Sequence, residues 1–469
     1  MQTMTSPLFS LDDLRGQRVL VLGLARSGVA AARMLADAGA RVTVYDRRSA
    51  ADLADAVASL EGRDLSLALG APPDAVDELL GAADLVVTSP SISPRFPTTE
   101  PWLRAALQRA VAAGTPLLSE VDLFLRLTRA RVLAVTGTKG KTTTTALIGA
   151  ALQAAGVPHA VGGNIGRPLI EQVHELGEQD WAVVELSELQ LPTISRGADV
   201  AVYTNIGSDH LDRHGTVEAY RAVKRRLAEL SIERGVIVLN DDDPGCRELG
   251  VLLSGDVRRY GHDGNGLDLR VESDMLVLDG EPLLAVAEVP LQGRHMLSDV
   301  MAAALGASLA GAGRAAIADG IRTFRGVPHR MELVAERDGV RWVNDSQATI
   351  PMAAAASIRA YAPARIVLIA GGRGKGLDYS EVADAAAAHA RAAILIGETA
   401  SELEGLMAGR VAVHRVSGMA DAVRLAGQLA EAGDVVLLSP AAASFDMFTD
   451  YAARGDAFRQ AVTDLEASR

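Results

Sequence analysis

The chain has 469 residues, too many for a single hydrophobic core, and its net charge of −13 argues against a broad electrostatic surface for nucleic acid. A single cysteine, Cys246, excludes an internal disulfide and a cysteine-based metal cluster. The N-terminus lacks a basic flank followed by an apolar run, and no apolar stretch is long enough to span a membrane, so we expect a cytoplasmic protein without membrane insertion.

Short runs rich in Val, Ile and Leu recur along the chain, separated by Ala-rich segments with helical spacing. In chain order the runs are "RVLVLG", "RVTVYD", "DLVVTSP", "RVLAVTG", "WAVVELS", "VAVYTN", "GVIVLND", "RIVLIAGG", "AAILIGE" and "DVVLLSP". Such runs are typical of buried parallel strands. In "SGVAAARMLADAG", Val29, Ala32 and Leu35 share one helical face and Gly39 ends the helix. The sequence therefore predicts an α/β protein, interrupted at roughly 250–290 by a mainly β or irregular stretch.

Turn residues in "GTPLLSE" and "FRGVPHR" mark boundaries near residues 119 and 326. We therefore expect three domains, at 1–119, 120–326 and 327–469, each built on a mainly parallel sheet. Ligands bind outside the carboxyl ends of the strands in such sheets. The predicted strands end in small or polar residues, where we expect the chemistry to lie: Gly23, Asp46, Ser89, Gly137, Glu185, Asn205, Asn240, Gly371 and Ser439.

The first strand–helix junction, "VLGLARSGVAAARML", resembles part of a dinucleotide fingerprint. Gly23 and Gly28 are present, but Ala25 occupies the place of the middle glycine. Asp46, at the end of the next strand, suits a ribose. A nicotinamide-dependent dehydrogenase and a tight turn without a ligand are both compatible with this motif.

The stretch "AVTGTKGKTTTT" resembles a phosphate loop, but Gly137 lies only three residues before Gly140, closer than in G-x-x-x-x-G-K-[ST]. Backbone amides of a glycine-rich turn at a helix N-terminus bind phosphate oxygens. Lys141 adds a positive charge, and the hydroxyl of Thr142 can bind Mg²⁺. The alternative, a surface turn, leaves unexplained why the stretch follows a strand and opens a helix.

Glu185 ends an apolar strand, and a carboxylate near a phosphate loop is a natural ligand for Mg²⁺. In "TNIGSDHLDRHG", His210, Asp212 and His214 stand at alternate positions, so a zinc site is an open alternative, although three ligands within five residues would be cramped. Lys224 lies beside two arginines in "YRAVKRRLAEL" and by default would belong to a solvated helix face.

With these motifs in order, the sequence resembles the Mur ligases, the ATP-dependent amide-forming enzymes of peptidoglycan precursor synthesis. The resemblance spans nearly the whole chain and is carried by "TGTKGKTT", "GGNIG" (162–166), "ELSELQL" (185–191), "TNIGSDHLDRHG", "YRAVK" (220–224), "FRGVPHRMELV" (324–334), "NDSQAT" (344–349), "GGRGKGLDYS" (371–380) and "LSPAAASFDMF" (438–448). It implies an N-terminal Rossmann-like UDP-binding domain, a central P-loop-type ATPase domain and a C-terminal Rossmann-like domain that binds an amino acid.

Two of these motifs, "NDSxAT" and "LSPAxAS", are most like those of the family members that add D-glutamate to UDP-N-acetylmuramoyl-L-alanine through an acyl phosphate. The implied ligands are these two substrates, ATP and two Mg²⁺ ions, and we expect a monomer. A sister ligase that adds another amino acid, L-glutamate included, is an alternative. A catalytically silent relative that binds UDP-muramyl ligands is another.

The resemblance assigns site residues by position. The nucleotide would meet Gly137, Thr138, Lys139, Gly140, Lys141, Thr142, Thr143, Arg330 and Asp345. Catalysis would depend on Lys141, Glu185, His210 and Lys224, and the metal ions on Thr142, Glu185, His210 and Lys224, the last carbamylated by CO₂. The substrates would meet Ser27, Asp46, Arg47, Ser89, Ser91, Asn164, Ser187, Thr349, Lys375, Ser444 and Phe445.

The sequence departs from the family pattern at four places. Gln347 replaces the lysine of "NDSKAT", and Glu188 replaces a second serine after Ser187. Met296 and Asp299 replace the two asparagines of "GxHNxxNA", one of which would face adenine. "SPS" at 89–91 replaces "SPG", so that turn loses its most flexible residue. These changes bear on the adenine contacts and on the choice of amino acid.

Overall fold

The structure is a computed structural model and describes residues 10–72, 75–94, 100–207, 214–264, 266–291, 293–374 and 376–467. The chain forms two compact units, Met1–Phe324 and Arg325–Arg469. The first unit contains two β-sheets and the second contains one.

The N-terminal sheet has five parallel strands in the order β3-β2-β1-β4-β5. They are β1 (Arg18–Leu22), β2 (Arg41–Asp46), β3 (Leu65–Leu69), β4 (Leu85–Thr88) and β5 (Leu117–Ser119). The helices are α1 (Arg26–Asp37), α2 (Ala54–Ala58), α3 (Ala75–Ala82) and α4 (Arg104–Ala112), with short 3₁₀ turns at Asp12–Leu14 and Pro101–Leu103. Strand order reverses between β1 and β4, which is where open parallel sheets bind their ligands.

The central sheet has the strand order β14-β13-β12-β11-β10-β9-β6-β8-β7 and is parallel except at β13 and β14. Its strands are β6 (Arg131–Thr136), β7 (His159–Gly163), β8 (Trp181–Glu185), β9 (Val200–Tyr203), β10 (Val236–Asn240), β11 (Val257–Gly261), β12 (Leu269–Glu272), β13 (Met275–Leu278) and β14 (Glu281–Ala285). The predicted β stretch at 250–290 corresponds to β11–β14, although its first residues belong to a helix.

The helices of this central region are α5 (Glu120–Leu127), α6 (Lys141–Ala154), α7 (Val217–Ser231), α8 (Pro244–Leu252), α9 (Arg294–Leu309) and α10 (Arg314–Thr323). Short 3₁₀ turns lie at Leu169–Gln172, Leu191–Thr193 and Val286–Glu288. Strand β6 lies between β9 and β8, so the loop that follows β6 meets the residues that follow both neighbours.

The second unit has the strand order β15-β16-β20-β17-β18-β19, and only the β15–β16 pair is antiparallel. Its strands are β15 (Glu332–Arg337), β16 (Val340–Asn344), β17 (Ile366–Gly371), β18 (Ala390–Ile396), β19 (Ala412–Arg415) and β20 (Val435–Leu438). Its helices are α11 (Pro351–Ala360), α12 (Ser380–His389), α13 (Ala400–Met407), α14 (Met419–Leu429) and α15 (Tyr451–Ala467).

The apolar runs of the sequence form the buried central strands of all three sheets. All six residues of β17 are buried, as are the four of β4, β9 and β20. Burial on both faces is the usual environment of a parallel strand, and it explains why these strands lack the polar alternation of an exposed sheet. The predicted three-domain α/β fold with mainly parallel sheets is confirmed.

One buried carboxyl lies where the N-terminal sheet leads into the central region. Glu120, the first residue of α5, is 6% exposed. Burial raises the pKa of Glu120 to about 7; Arg26 acts to lower it, Glu171 to raise it, and the hydrogen bond with the Ile170 backbone to lower it. The ionised carboxylate therefore costs folding free energy at neutral pH.

We expect Glu120→Gln to stabilise the protein in a pH-dependent way. An unfolded glutamate ionises near its ordinary pKa, whereas Glu120 stays protonated in the folded state up to about 7, so the cost is absent below pH 4 and complete above pH 7. The variant should gain on the order of 3 kcal/mol at pH 8 and almost nothing at pH 4. Urea unfolding at both pH values checks this, with exposed Glu178→Gln as the control. An equal gain at both would contradict it.

Candidate active site

The loop between β6 and α6 requires its two glycines. Gly137 has φ +153° and Gly140 has φ +84°, in regions that other residues rarely adopt. A Cβ on Gly137 would lie 1.9 Å from Thr204 Oγ1, and one on Gly140 would lie 2.1 Å from Asp299 Oδ1. The close glycine spacing is therefore a property of a tightly packed loop.

The end of β9 holds this loop from one side. Thr204 Oγ1 donates to the carbonyl of Lys139 at 2.6 Å, and Asn205 Nδ2 donates to the same carbonyl at 3.0 Å. Asn205 Oδ1 accepts the backbone amides of Thr138 and Lys139 at 3.1 and 2.9 Å. Two amides in the predicted nucleotide-binding stretch, those of Thr138 and Lys139, therefore donate to Asn205 in this structure, a role that the sequence motif did not reveal.

Lys141 begins α6 and folds back over the loop. Its Nζ donates to the carbonyls of Gly137 and Thr138 at 3.0 and 3.1 Å. Thr142 and Thr143 follow in the first turn of the helix and are partly buried. The ammonium and the amides of a helix N-terminus thus face the same small region, which is the arrangement that stabilises a bound phosphate.

Lys224 lies against the loop from α7 and is fully buried, contrary to the default expectation of a solvated face. Its Nζ donates to the carbonyl of Gly137 at 2.9 Å and to Thr136 Oγ1 at 3.3 Å. Tyr220, one turn earlier, donates its hydroxyl to Thr138 Oγ1 at 3.1 Å. Tyr220 was absent from the predicted site because a buried tyrosine on a helix is normally a core residue.

Glu185 provides an observation that fits a metal ion. The residue is 1% exposed at the carboxyl end of β8, and its Oε1 accepts Asn164 Nδ2 at 2.8 Å. Its Oε2 is buried and accepts no hydrogen bond from the described residues. A buried carboxylate oxygen without a donor is unfavourable unless a cation binds it, and carboxylates are preferred ligands of Mg²⁺. The donor set of Glu185 and the hydroxyl of Thr142 therefore fits Mg²⁺.

Some predicted residues fall outside the described part of the chain. His210 and Asp212, named for magnesium or zinc, and Lys375, named for the amino acid, all lie there. Among the residues that the structure describes, no three His, Cys, Asp or Glu side chains come together as a metal site. Ser187 is described and buried, and its hydroxyl donates to Gln190 Oε1 at 3.0 Å.

The candidate uridine pocket lies at the carboxyl ends of β1, β2 and β4. Ser27 is in the first turn of α1, and the hydroxyls of Ser89 and Ser91 lie 3.1 Å apart. Asp46 Oδ2 accepts the Leu24 amide at 2.8 Å. Gly28 is tightly packed, since a Cβ there would lie 1.9 Å from the carbonyl oxygen of Gly23.

Asp46 is paired with Arg48, a residue that the prediction did not include. Arg47 and Arg48 are both exposed, and Arg48 Nη2 donates to Asp46 Oδ2 at 2.8 Å. Burial raises the pKa of the Asp46 carboxyl, but the hydrogen bonds from the Arg48 side chain and from the amides of Leu24 and Arg48 outweigh it and lower the pKa overall. An ionised Asp46 can accept a hydrogen bond from a ribose hydroxyl.

In the second unit, Asp345 follows β16 and is 3% exposed. Its Oδ2 accepts the Ser439 hydroxyl at 2.8 Å and its Oδ1 accepts the Met331 amide at 3.2 Å. Burial raises the pKa of Asp345, and hydrogen bonds and the nearby Arg330 partly offset that rise. His329 and Met331, on either side of the exposed Arg330, both have positive φ, which marks a constrained backbone at this predicted nucleotide contact.

The predicted amino-acid residues that the structure describes lie on two loops joined by one buried arginine. Thr349 belongs to the loop after β16, while Ser444, which is buried, and Phe445, which is 49% exposed, follow β20. Arg454 of α15 donates to Ser346 Oγ and to the Ser346 carbonyl, both at 3.0 Å, and to the carbonyls of Ala442 and Ala443 at 3.1 Å. Burial lowers the pKa of Arg454 to about 10, and the nearby Asp446 acts to raise it.

Three of the four departures from the family pattern, at Gln347, at Glu188 and at Met296 with Asp299, have different surroundings. The Gln347 backbone amide donates to the His329 carbonyl at 2.9 Å. Glu188 is buried beside Ser187, and Met296 is partly buried on α9. Asp299 is buried against Gly140 of the candidate phosphate loop.

Family models match the chain in succession. "Mur ligase MurD-like, N-terminal domain" matches residues 17–118, "Mur ligase middle domain" residues 135–307, and "Mur ligase, glutamate ligase domain" residues 329–442. The UDP-N-acetylmuramoylalanine–D-glutamate ligase of Acidobacterium capsulatum is 39% identical over 464 residues, covering 96% of this chain and 97% of the relative. The chain belongs to the Mur ligase family.

A second relative of the same name, from Solibacter usitatus, is 38% identical over 457 residues and covers 97% of this Mur ligase and 99% of its own chain. Among solved structures, UDP-N-acetylmuramate-alanine ligase MurC from Thermotoga maritima has a TM-score of 0.52 at 17% identity, with 97% and 100% of the two chains covered. At this identity the structural likeness supports the fold alone. No helix in the described part of the chain is long and apolar enough to cross a membrane.

Proposed function

We propose that this Mur ligase uses ATP to join D-glutamate to UDP-N-acetylmuramoyl-L-alanine in peptidoglycan precursor synthesis. The observation that carries the proposal is the convergence of the glycine loop, Lys141, Glu185 and Lys224 at one edge of the central sheet. The relatives that match nearly the whole chain are D-glutamate ligases by name, and ATP-dependent, ADP-forming amide ligation is the activity of the family.

The reaction must first bring two anions together. A carboxylate oxygen of the muramyl-alanine attacks the γ-phosphorus of ATP, ADP leaves, and an acyl phosphate remains. The amine of D-glutamate then attacks the acyl carbon, loses a proton and displaces inorganic phosphate. Positive charge and oriented amides are therefore the main requirement, and Lys141 with the first turn of α6 would supply them.

We assign the three steps of recognition to three regions. Residues 1–119 would bind the UDP-sugar through Ser27, Asp46, Ser89 and Ser91, with Arg48 orienting Asp46. Residues 120–326 would bind ATP at 137–143. Residues 327–469 would contribute Arg330 and Asp345 to the nucleotide and Thr349, Lys375, Ser444 and Phe445 to D-glutamate.

Magnesium would be held by Thr142 and Glu185 at one position and by His210 at a second. When bound, Mg²⁺ neutralises phosphate charge and makes the γ-phosphorus easier to attack. Asn164 orients the Glu185 carboxylate by donating a hydrogen bond to its Oε1 and not to its Oε2. Asn164 and Ser187 would also line the path of the muramyl-alanine.

Lys224 is the residue that we expect to be carbamylated. Its burial removes the hydration that stabilises an ammonium, and the neutral amine is the form that reacts with CO₂. The product carries a carboxylate in place of a cation, while its nitrogen keeps one proton that can donate to the Gly137 carbonyl, as Nζ does now. The carboxylate would then help to position magnesium.

The use of lysine in this chain supports these assignments. Four lysines are present among 46 Lys and Arg: Lys139, Lys141, Lys224 and Lys375. All four belong to the predicted site, although arginine supplies almost every other cation of the protein. An amine that reacts with CO₂, or a compact charge beside a phosphate, cannot be replaced by a guanidinium.

A sister activity with another amino acid is favoured by one observation, the buried Glu188 beside Ser187 in the proposed substrate path.

We expect the enzyme to act as a monomer and to work in the cytoplasm, where ATP is available.

Lys141→Ala should reduce phosphate release from MgATP, with UDP-N-acetylmuramoyl-L-alanine and D-glutamate present, by at least a hundredfold, because one charge-stabilising group at a transition state contributes about that much. Arg410→Ala, which alters an exposed ion pair in the second unit, is the control and should change the rate less than twofold. Retained activity in the Lys141 variant would remove the loop from the proposed mechanism.

Lys224→Ala should be nearly inactive and should recover part of its activity with added acetate or propionate, which can replace the missing carboxylate. The matched control is Arg225→Ala, the next residue on α7, whose ion pair with Glu229 is half exposed. Activity is measured as phosphate release at increasing carboxylate concentration. An inactive variant that neither acid restores would count against the carbamate.

A further inference from the structure

Asp299 has an unusual environment for a carboxyl group. It lies on α9, is 7% exposed, and its backbone carbonyl accepts the Thr144 hydroxyl of α6 at 3.5 Å. The carboxyl oxygens have no hydrogen-bond or ion-pair partner among the residues that the structure describes. Burial without compensation raises the pKa of Asp299 to about 7. A buried carboxyl of this kind lowers the free energy of unfolding when it is ionised, so we looked for a functional role that would offset this loss.

This carboxyl faces the phosphate loop directly. A Cβ on Gly140 would lie 2.1 Å from Asp299 Oδ1 and 2.9 Å from Oδ2, so both oxygens lie against that residue. Gly140 is the N-cap of α6, next to the amides and the ammonium of Lys141 that would bind the nucleotide phosphates. A negative charge here partly cancels the positive potential that the helix N-terminus and the Lys141 ammonium present to a phosphate.

We propose that Asp299 sets the affinity of this enzyme for its nucleotide by opposing the charge of the phosphates. The inference rests on the proposed nucleotide role of the loop. An ionised carboxylate in a buried setting repels a phosphate group strongly over several ångströms, because little water screens the two charges. The repulsion weakens the binding of ADP as well as of ATP, and weaker binding of the product speeds its release.

The pH dependence of this repulsion should follow the ionisation of Asp299 itself. The elements packed against α9 are α6, α10 and strands β9–β12. Ionisable side chains on these elements include Tyr260 on β11, which interacts electrostatically with Asp299, and Lys141, which follows Gly140 at the start of α6. His295 lies one turn earlier on α9 itself. Burial raises the pKa of Tyr260 well above its usual value, so its phenol stays neutral through the range in which Asp299 ionises.

The test is the affinity for MgADP, measured by isothermal titration calorimetry with wild-type protein and Asp299→Asn. Asparagine keeps the shape and removes the charge. We expect the variant to bind MgADP about tenfold more tightly at pH 8.5, and less than threefold more tightly at pH 6, where Asp299 is largely protonated. Asp319→Asn, at an exposed position of α10, is the control and should leave the affinity unchanged at both pH values.

Equal or weaker binding by Asp299→Asn at pH 8.5 would overturn the proposal, and so would a gain of the same size at both pH values. Asp299→Ser provides a second neutral variant if the first does not fold. Because the readout is binding of MgADP, it does not depend on which amino acid the enzyme adds. Failure of the ligase assay with intact MgADP binding would therefore count against the proposed function and leave Asp299 testable.

Discussion

Hydrogen bonds between the end of β9 and the loop at 137–140 fix the backbone on which the proposed chemistry depends. A short glycine loop can present its amides to a phosphate only if its own carbonyls are satisfied elsewhere. Thr204 and Asn205 accept or donate at 2.6 to 3.1 Å along this loop, and Lys224 donates to the Gly137 carbonyl from the opposite element. The glycines are needed because these supports leave no space for a Cβ.

The parallel sheet explains why the other chemical groups gather near this loop. The carboxyl ends of β6 and β8 are adjacent, and Val135 is in register with Glu185. Thr136 Oγ1 donates to the Leu186 carbonyl and accepts a hydrogen bond from Lys224 Nζ, so one hydroxyl links the loop, the end of the Glu185 strand and the lysine. A buried carboxylate oxygen that accepts no hydrogen bond within the described part of the chain is unfavourable for folding alone, and so is a fully buried lysine. Bound charged substrates and a cation would offset this unfavourable contribution to the folding free energy.

Sequence patterns predicted the parts of the protein that depend on local order. The apolar runs predicted the buried strands, and the glycines before Lys141 predicted a tight loop between a strand and a helix. The binding of phosphate by that loop is a proposal. The family motifs singled out Glu185 and Lys224, of which Lys224 looked by composition alone like a residue of a solvated helix face.

Contacts between distant segments were not predictable in this way. Arg454 joins the loops after β16 and β20 from the last helix, more than a hundred residues from Ser346 in sequence. Arg48 rather than Arg47 pairs with Asp46, because the turn after β2 decides which side chain returns to the strand end. The position of Asp299 against Gly140 likewise follows from the packing of α9 on α6, which the substitution in the motif does not reveal.

Phosphate release from MgATP with UDP-N-acetylmuramoyl-L-alanine is the decisive test of the proposed ligase activity, with D-glutamate, L-glutamate and the amino acids of the sister ligases supplied one at a time. Mass analysis of each product identifies the amide. We expect release with D-glutamate alone, together with a product heavier by one glutamyl residue. Release with a different amino acid, or with none of them, would contradict it.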